Sequence, residues 1–312
     1  MGFRGGELMP RLGTTEINSS DPRLNRNLVI NGDMKLSQRT TGTIVGTSGF
    51  QYVLDRHISW FTDVASVSAP TINQSSLPAG FGGIDNSGQA RSMRMHGTIT
   101  SLAPAPTFNR LQRIESIRLR PQRSNVISVG MWIWSNNFQD VSLQILQPTT
   151  GTPDNWASSA IVPGGLQLIR VNEAGWTFVK IENIQLTNLD GLEIRAILVN
   201  PAATVFTDTY MTEMMCNWGP TLRPFRLMAD NADQEKMLAQ RYYEVWTGRM
   251  RSALQSGVNE MPVPMKVSKR TNPLITVIGD GATPVNITTE GFSLNTSSAA
   301  TGNIDVRMDA EL

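Results

Sequence analysis

Cysteine occurs once in 312 residues, as Cys216, and histidine is almost as scarce, with His57 and His96 its only copies. One thiol excludes an internal disulfide framework. Structural zinc sites draw on several Cys or His side chains, so no metal centre is expected from this set, and no cofactor motif replaces it. Charge is short as well: Asp, Glu, Lys and Arg make up 17% of the chain, against about 25% in ordinary soluble domains. Ser, Thr, Asn, Gln and Gly fill the gap, a balance suited to β-proteins of extracellular or particle surfaces. No apolar run approaches the ~20 residues that cross a bilayer, so membrane insertion is not expected. The opening residues Met1–Glu7 lead into no apolar core of the kind an export signal carries, which implies a chain made in a cytoplasm and soluble there.

What is present is a skewed set of cations. The net charge is +1, yet Arg outnumbers Lys by 22 to 5. A balanced chain has no global field to draw in a polyanion, so nucleic acid is not an expected partner. Arg instead suits partly buried pairs and protein interfaces. The densest run, Arg110 to Arg123, carries five Arg and one Glu without interleaved aromatics. Leu111, Ile114, Ile117 and Leu119 within it imply a strand whose outer face bears the arginines towards solvent or another subunit.

Taken in order, the chain divides into four parts. Residues 1–26 hold Gly2, Gly5, Gly6, Pro10, Gly13 and Pro22 with few large apolar residues. They read as an extended arm without its own core, with Arg4, Arg11 and Arg23 as candidate assembly contacts. Residues 27–227 are patterned as about a dozen short strands bounded by Gly, Pro, Asn or Asp. Val126–Trp134 and Leu192–Val199 alternate in the manner of half-buried strands. The fold class expected is all-β, a jelly-roll-like sandwich. No βα alternation supports a nucleotide-binding α/β fold. Residues 228–248 form a helical connector, and residues 249–312 a smaller β region too short to bury much surface alone.

The helix is the sharpest local signal. Asn231 with Gln234 three residues on has the form of a capping box, and Asp233 and Glu235 complement the positive end of the dipole. Leu238, Tyr242, Val245 and Arg249 trace one face, with Gly248 placed to end the helix. Tyr242 and Trp246 on this segment are candidate assembly contacts, expected to be buried between domains or between copies of the chain.

Isolated residues support binding more than chemistry. Trp132 and Trp134 share one face of a strand, and their apolar neighbours Val129, Met131 and Ile133 favour burial on both faces. Trp156, in the polar turn Pro153–Ser159, is the better candidate for an exposed binding aromatic or an interface anchor. Asp55 and Arg56, at the start of an apolar strand, read as a charge-assisted tie between loop and sheet. His96 has no Ser or Cys nucleophile signature beside it, no Gly-x-Ser-x-Gly elbow occurs, and Gly80–Gly83 lies outside any strand-to-helix context. No enzyme is expected.

Asn27–Met34 with Ser37–Arg39, then Tyr52–Arg56, then Gln112–Glu115, resembles the opening of a family of tailed-bacteriophage virion proteins, tail-fibre-like or structural. Tyr210–Met215, Gly219–Phe225, Glu235 and Gln240–Tyr243 are similar to its closing strand and the helix after it, and Asp309–Leu312 to its ending. The likeness spans residues 27–312. It departs from the pattern at His57, where an aromatic is usual, and at Ala239, where Cys is common. The resemblance implies a carbohydrate-binding-module-like sandwich, a homotrimer, and a virion location after synthesis in the host bacterial cytoplasm. It further implies other virion proteins as partners of residues 1–26 and a host-surface polysaccharide as a candidate ligand of the sandwich. Two roles follow: a tail fibre or tail appendage that recognises the host, or a capsid decoration, cement or head-fibre protein with a purely structural role.

Overall fold

The sandwich arises because two sheets each have one apolar face to hide. A computed structural model describes residues 27–38, 51–61, 67–78, 81, 91–99, 107–120, 125–135, 140–171, 175–199, 206–228, 231–249, 259–267, 269, 272–278, 282–296 and 303–310. Arg4, Arg11 and Arg23 lie outside the described residues. One sheet has six strands in the order β1 (Gln51–Leu54), β2 (His57–Phe61), β5 (Thr107–Ile114), β10 (Leu192–Val199), β7 (Asp140–Pro148), β8 (Ser159–Arg170). The other has five, β3 (Val67–Ser76), β4 (Arg91–Ile99), β11 (Phe206–Trp218), β6 (Val126–Ser135), β9 (Gly175–Gln185). Every described pairing in both sheets is antiparallel. Ile194, Ala196 and Leu198 of β10 and Val141, Leu143 and Ile145 of β7 meet Val129, Met131 and Ile133 of β6 in one buried cluster. Alternation along each strand supplies this inner layer, as expected of aligned sheet packing. The all-β expectation holds.

Residues 27–36 are laid along β11. Leu28 N donates to Cys216 O (2.8 Å) and Met214 N to Gly32 O (2.9 Å), while Asn27 Nδ2 donates to Met214 O (3.0 Å). A Cβ on Gly32 would stand 2.2 Å from Met214 O, so only glycine allows this approach. Meeting the segment turns Met214 out of the ladder: the β11–β6 register shifts between Thr212 and Met215, and Glu213 takes φ +46°. The result is a β-bulge.

Two corrections concern helices. The capped helix, α2, spans Ala232–Gln240, with the Asn231 side chain accepting from Gln234 N at 2.9 Å. It does not reach Gly248. Arg241 closes it in a right-handed conformation, and Tyr243–Arg249 becomes strand β12. Tyr, Val, Trp and Thr prefer a pleated ladder once a partner strand is available, and β17 (Asn303–Asp309) supplies one, pairing from Tyr243↔Asp309 to Arg249↔Asn303. The second correction is residues 116–119, expected as strand, which form a short helix α1 (Ser116–Leu119).

Beyond α2, β12, β17 and β14 (Leu274–Ile278) make one three-stranded sheet. β13 (Asn259–Pro264), β16 (Gly291–Thr296) and β15 (Thr283–Val285) make another. Their shared core is small: Val263, Phe292, Leu294, Val306 and Met308 with Ile275 and Ala282. Lys269, itself buried, donates from Nζ to Gln240 O at 2.5 Å, placing a cation at the C-terminal end of α2.

Candidate functional site

Five aromatic residues of the five-stranded sheet lie on the side away from the core, while Trp218 of β11 is buried within it. Register places Arg94, Tyr210, Trp134 and Trp176 side by side across β4, β11, β6 and β9. The next row holds Thr212, Trp132 and Phe178. Trp132, Trp134, Trp176, Phe178 and Tyr210 are all half-buried, whereas Met131 and Ile133 between them are fully covered. The expected burial of Trp132 and Trp134 on both faces is therefore wrong. The intervening residues point inward and the tryptophans outward. Trp134 meets Tyr210 edge to face at 5.3 Å, and Trp132 meets Phe178 at a tilt of 48° and 5.0 Å. Phe81, from the segment after β3, reaches over to Trp176 (4.8 Å) and Trp132 (5.7 Å). Such contacts fix ring orientation at little conformational cost to a ligand that stacks on them.

Polar groups border the rings. Asp208 accepts from Arg94 Nε at 2.6 Å, and its Oδ1 lies 3.2 Å from His96 Nδ1. At the other end, Lys180 Nζ donates to Glu182 Oε2 (2.6 Å), and Leu222 N donates to Glu182 Oε1 (2.8 Å). The lysine and the amide together hold the Glu182 carboxyl below its ordinary range. There a cleft of about 280 Å³ opens between Trp132, Phe178, Glu213 and the loop Leu222–Phe225.

Residues 27–38, Asp55, Arg56, Gln112 and Glu235 of the sequence resemblance assemble elsewhere, in a buried polar girdle between residues 27–38, the six-stranded sheet and α2, whereas Tyr210, Glu213 and Leu222–Phe225 lie at the aromatic face and its cleft. Arg110, expected on a face turned to solvent or another subunit, is buried within the chain with no exposure at all. It shares strand parity with Phe108 and Gln112, so it points inward, where Nη2 donates to His57 Nδ1 (2.9 Å) and lies 3.0 Å from Met34 Sδ. Burial lowers its pKa to about 9. With Nδ1 accepting, His57 donates from Nε2 to Asn31 O (2.9 Å). Its pKa falls well below 6.5, through burial first, then the Arg110 charge, then Arg56, against the Asn31 bond. Asn31 N donates to Glu235 Oε1 (2.6 Å), and Gln112 Nε2 to Ile30 O (2.8 Å). Gln38 donates twice to Asp55 Oδ2, at 3.1 and 3.0 Å.

The candidate contacts fare differently. Tyr242 is fully buried with Ile30 and Ala239, the Arg56 guanidinium 3.7 Å above its ring and its hydroxyl donating to Glu115 Oε2. It joins helix to sandwich. Trp246 takes its place in β12 opposite Val306, and its side chain lies outside the described residues. Trp156 does not project as an exposed rung. It is half-buried, its ring 4.8 Å from the Arg113 guanidinium and its Nε1 covered without a partner among the described residues. Arg113 in turn pairs with Glu193 (3.0 Å), which also accepts from Arg195. The pattern of small outer neighbours, Ser128 and Gly130 on the face of Trp132 and Trp134, is the signal by which the aromatic face was legible and missed.

Fold and face together define a two-sheet β-sandwich with an aromatic outer surface. No family model matches the chain, and no curated protein matches it in sequence. Among solved structures it is similar to a carbohydrate-binding module of the β-sandwich superfamily, with 12% identity and a TM-score of 0.38 over 59% of this chain and 63% of that one. It is also similar to the enzymatically active domain of bacteriophage CBA120 tailspike protein 4, with 10% identity and a TM-score of 0.38 over 61% of this chain and 21% of that one. A family 11 carbohydrate-binding module of a Clostridium thermocellum cellulase has 10% identity and a TM-score of 0.30 over 57% of this chain and 99% of that one. The chain thus spans less than two thirds of the length of the first two. No helix among the described residues is long and apolar enough to cross a membrane.

Proposed function

We propose that the outer face of the five-stranded sheet binds a glycan, and that the protein serves a tailed-bacteriophage virion as a tail-fibre or tail-appendage component held by residues 1–26. The observation that carries the binding role is the half-exposed set Trp132, Trp134, Trp176, Phe178 and Tyr210 on one sheet face, bordered by Arg94, Asp208, Lys180 and Glu182. Large rings left at a surface mark a binding face. Sugar rings present apolar C–H faces that stack on aromatics, and hydroxyls that pair with the bordering charges. The virion role and a homotrimer rest on the sequence resemblance. The second role, a structural decoration or head-fibre protein, is favoured by the aliphatic edge of β8, where Leu166 and Leu168 are 51% and 74% exposed.

An array of bacterial surface polysaccharides, probed with the full chain, tests the binding role. At least one polysaccharide is expected to be retained by the wild type and weakened tenfold or more by Trp134→Ala, a change of about 1.4 kcal/mol. Retention of nothing, or equal retention by wild type and variant, overturns it.

A further inference from the structure

The aromatic face is closed at one end. Gly219 N donates to Val126 O (2.8 Å), Ser128 Oγ to Gly219 O (2.9 Å) and Leu222 N to Glu182 Oε1 (2.8 Å). Those three bonds stretch the loop after β11 across β6 to β9. The loop also leans on the sheet itself: a Cβ at Gly130 would lie 2.5 Å from Leu222 Cδ2 and 2.9 Å from Phe178 Cζ. An extended ligand running along β6 over Trp134 and Trp132 therefore meets a wall. Immediately before the wall is the cleft of about 280 Å³, at the small end of the ~300–1,000 Å³ range of small-molecule sites. Trp132 and Phe178, ring to ring at 5.0 Å, form its apolar side. Its charged side balances: Lys180 and Arg223 against Glu182 and Glu213, with Lys180 and Glu182 already paired at 2.6 Å.

We infer that this cleft seats the terminal sugar of the bound chain, a single uncharged pyranose ring. The inference rests on the glycan-binding reading of the face. Size admits one ring, and the wall makes that ring the end of its chain. The charge balance offers donors to ring and hydroxyl oxygens and acceptors to hydroxyl protons, with no surplus cation to select a uronic acid or an anionic substituent. Arg223 is the specificity-determining residue. It stands half-exposed at the rim, its backbone fixed by a bond from its N to Asn217 Oδ1 (3.0 Å), and its side chain takes no hydrogen bond or ion pair among the described residues.

Saturation-transfer NMR on the full chain tests this, with methyl glucopyranoside, galactopyranoside and mannopyranoside as neutral probes and methyl glucuronopyranoside as the charged one. At least one neutral probe is expected to receive saturation from the wild type. That transfer should fall severalfold in Arg223→Ala and in Lys180→Gln, both surface changes, and persist in Trp134→Ala. Transfer to the glucuronide alone, transfer to no probe, or transfer lost in Trp134→Ala but kept in Arg223→Ala overturns the inference. The face stands or falls separately. Array binding that drops in Trp134→Ala and not in Arg223→Ala retains the face and removes the cleft, and binding that drops in neither removes both.

Discussion

The buried girdle around Arg110 and the outer face around Trp134 invert the usual assignment of residues to interior and surface. In the girdle two guanidiniums, an imidazole, three carboxyls and several amides are buried. On the outer face indole and phenyl rings lie at the surface. Both inversions obey the same parity. Arg110 and Gln112 alternate with Leu111 and Arg113 and fall on the side of Phe108 and Ile114. Trp132 and Trp134 alternate with Met131 and Ile133 and fall on the opposite side. Strand geometry places a side chain, and its partners then decide whether the place is tolerable. For Arg110 those partners are His57 and Met34, and residues 27–38 supply both Met34 and the Asn31 carbonyl that holds the His57 ring. For the tryptophans no described strand or helix covers the face, and ring contacts with Tyr210, Phe178 and Phe81 hold them instead.

On the proposed reading the girdle supports the fold and the face binds ligand, and three substitutions test that division. The largest effect is expected from Tyr242→Ala, which removes a fully buried ring, its stacked Arg56 and the hydroxyl bond to Glu115. By analogy with buried Phe, the cost is about 3–5 kcal/mol in chemical denaturation. A loss below about 1 kcal/mol would return α2 to the status of a loose linker. Next comes acid. His57 is neutral in the folded chain, its pKa depressed by burial and by the Arg110 and Arg56 charges. As pH falls below 6.5 the unfolded chain takes up a proton that the folded chain refuses, so stability is present above that pH and is lost below it. The slope approaches 1.4 kcal/mol per pH unit until the depressed value is reached. His57→Gln should flatten the dependence of the denaturation midpoint between about pH 7 and 5, and equal slopes in both proteins would assign acid sensitivity elsewhere. The smallest effect on folding is expected from Trp134→Ala, about 1 kcal/mol or less for a half-exposed ring. A large loss there would make the aromatic face part of the fold's support and remove the contrast.

Much of this architecture was legible because it depends on local patterns. Alternation in β6 and β10 and the Asn231 cap each act within a few residues of one another. Tyr242 was rightly expected to be buried, although for a helical stripe that does not exist: the spacing of Leu238, Tyr242 and Val245 mimics a helix while Val245 belongs to a strand. The end of α2 depends on β17, some sixty residues away, and no local rule could supply that partner. Arg110 was missed for the same reason, since its hydrogen-bonding neighbours come from His57 and residues 27–38. In the candidate site, Ser128 and Gly130 marked the tryptophan side of β6 as outward. The wall across it could not be read, because it arises from a loop after β11 crossing two other strands.

The antiparallel pairing of β12 with β17 has a consequence for how such a protein changes over time. Tyr243 opens the C-terminal unit and Asp309 faces it across the ladder, with Ala310 N donating to Tyr242 O at 2.6 Å. Entry and exit therefore lie side by side, at the end of one helix, and the bond from Lys269 to Gln240 O lies close to the same seam. A unit whose two ends meet at one point can be replaced by recombination without re-routing the rest of the chain. The sandwich and its aromatic face would keep their geometry through such an exchange, provided the incoming unit brings a strand to pair with Tyr243 and a cation to meet the end of α2.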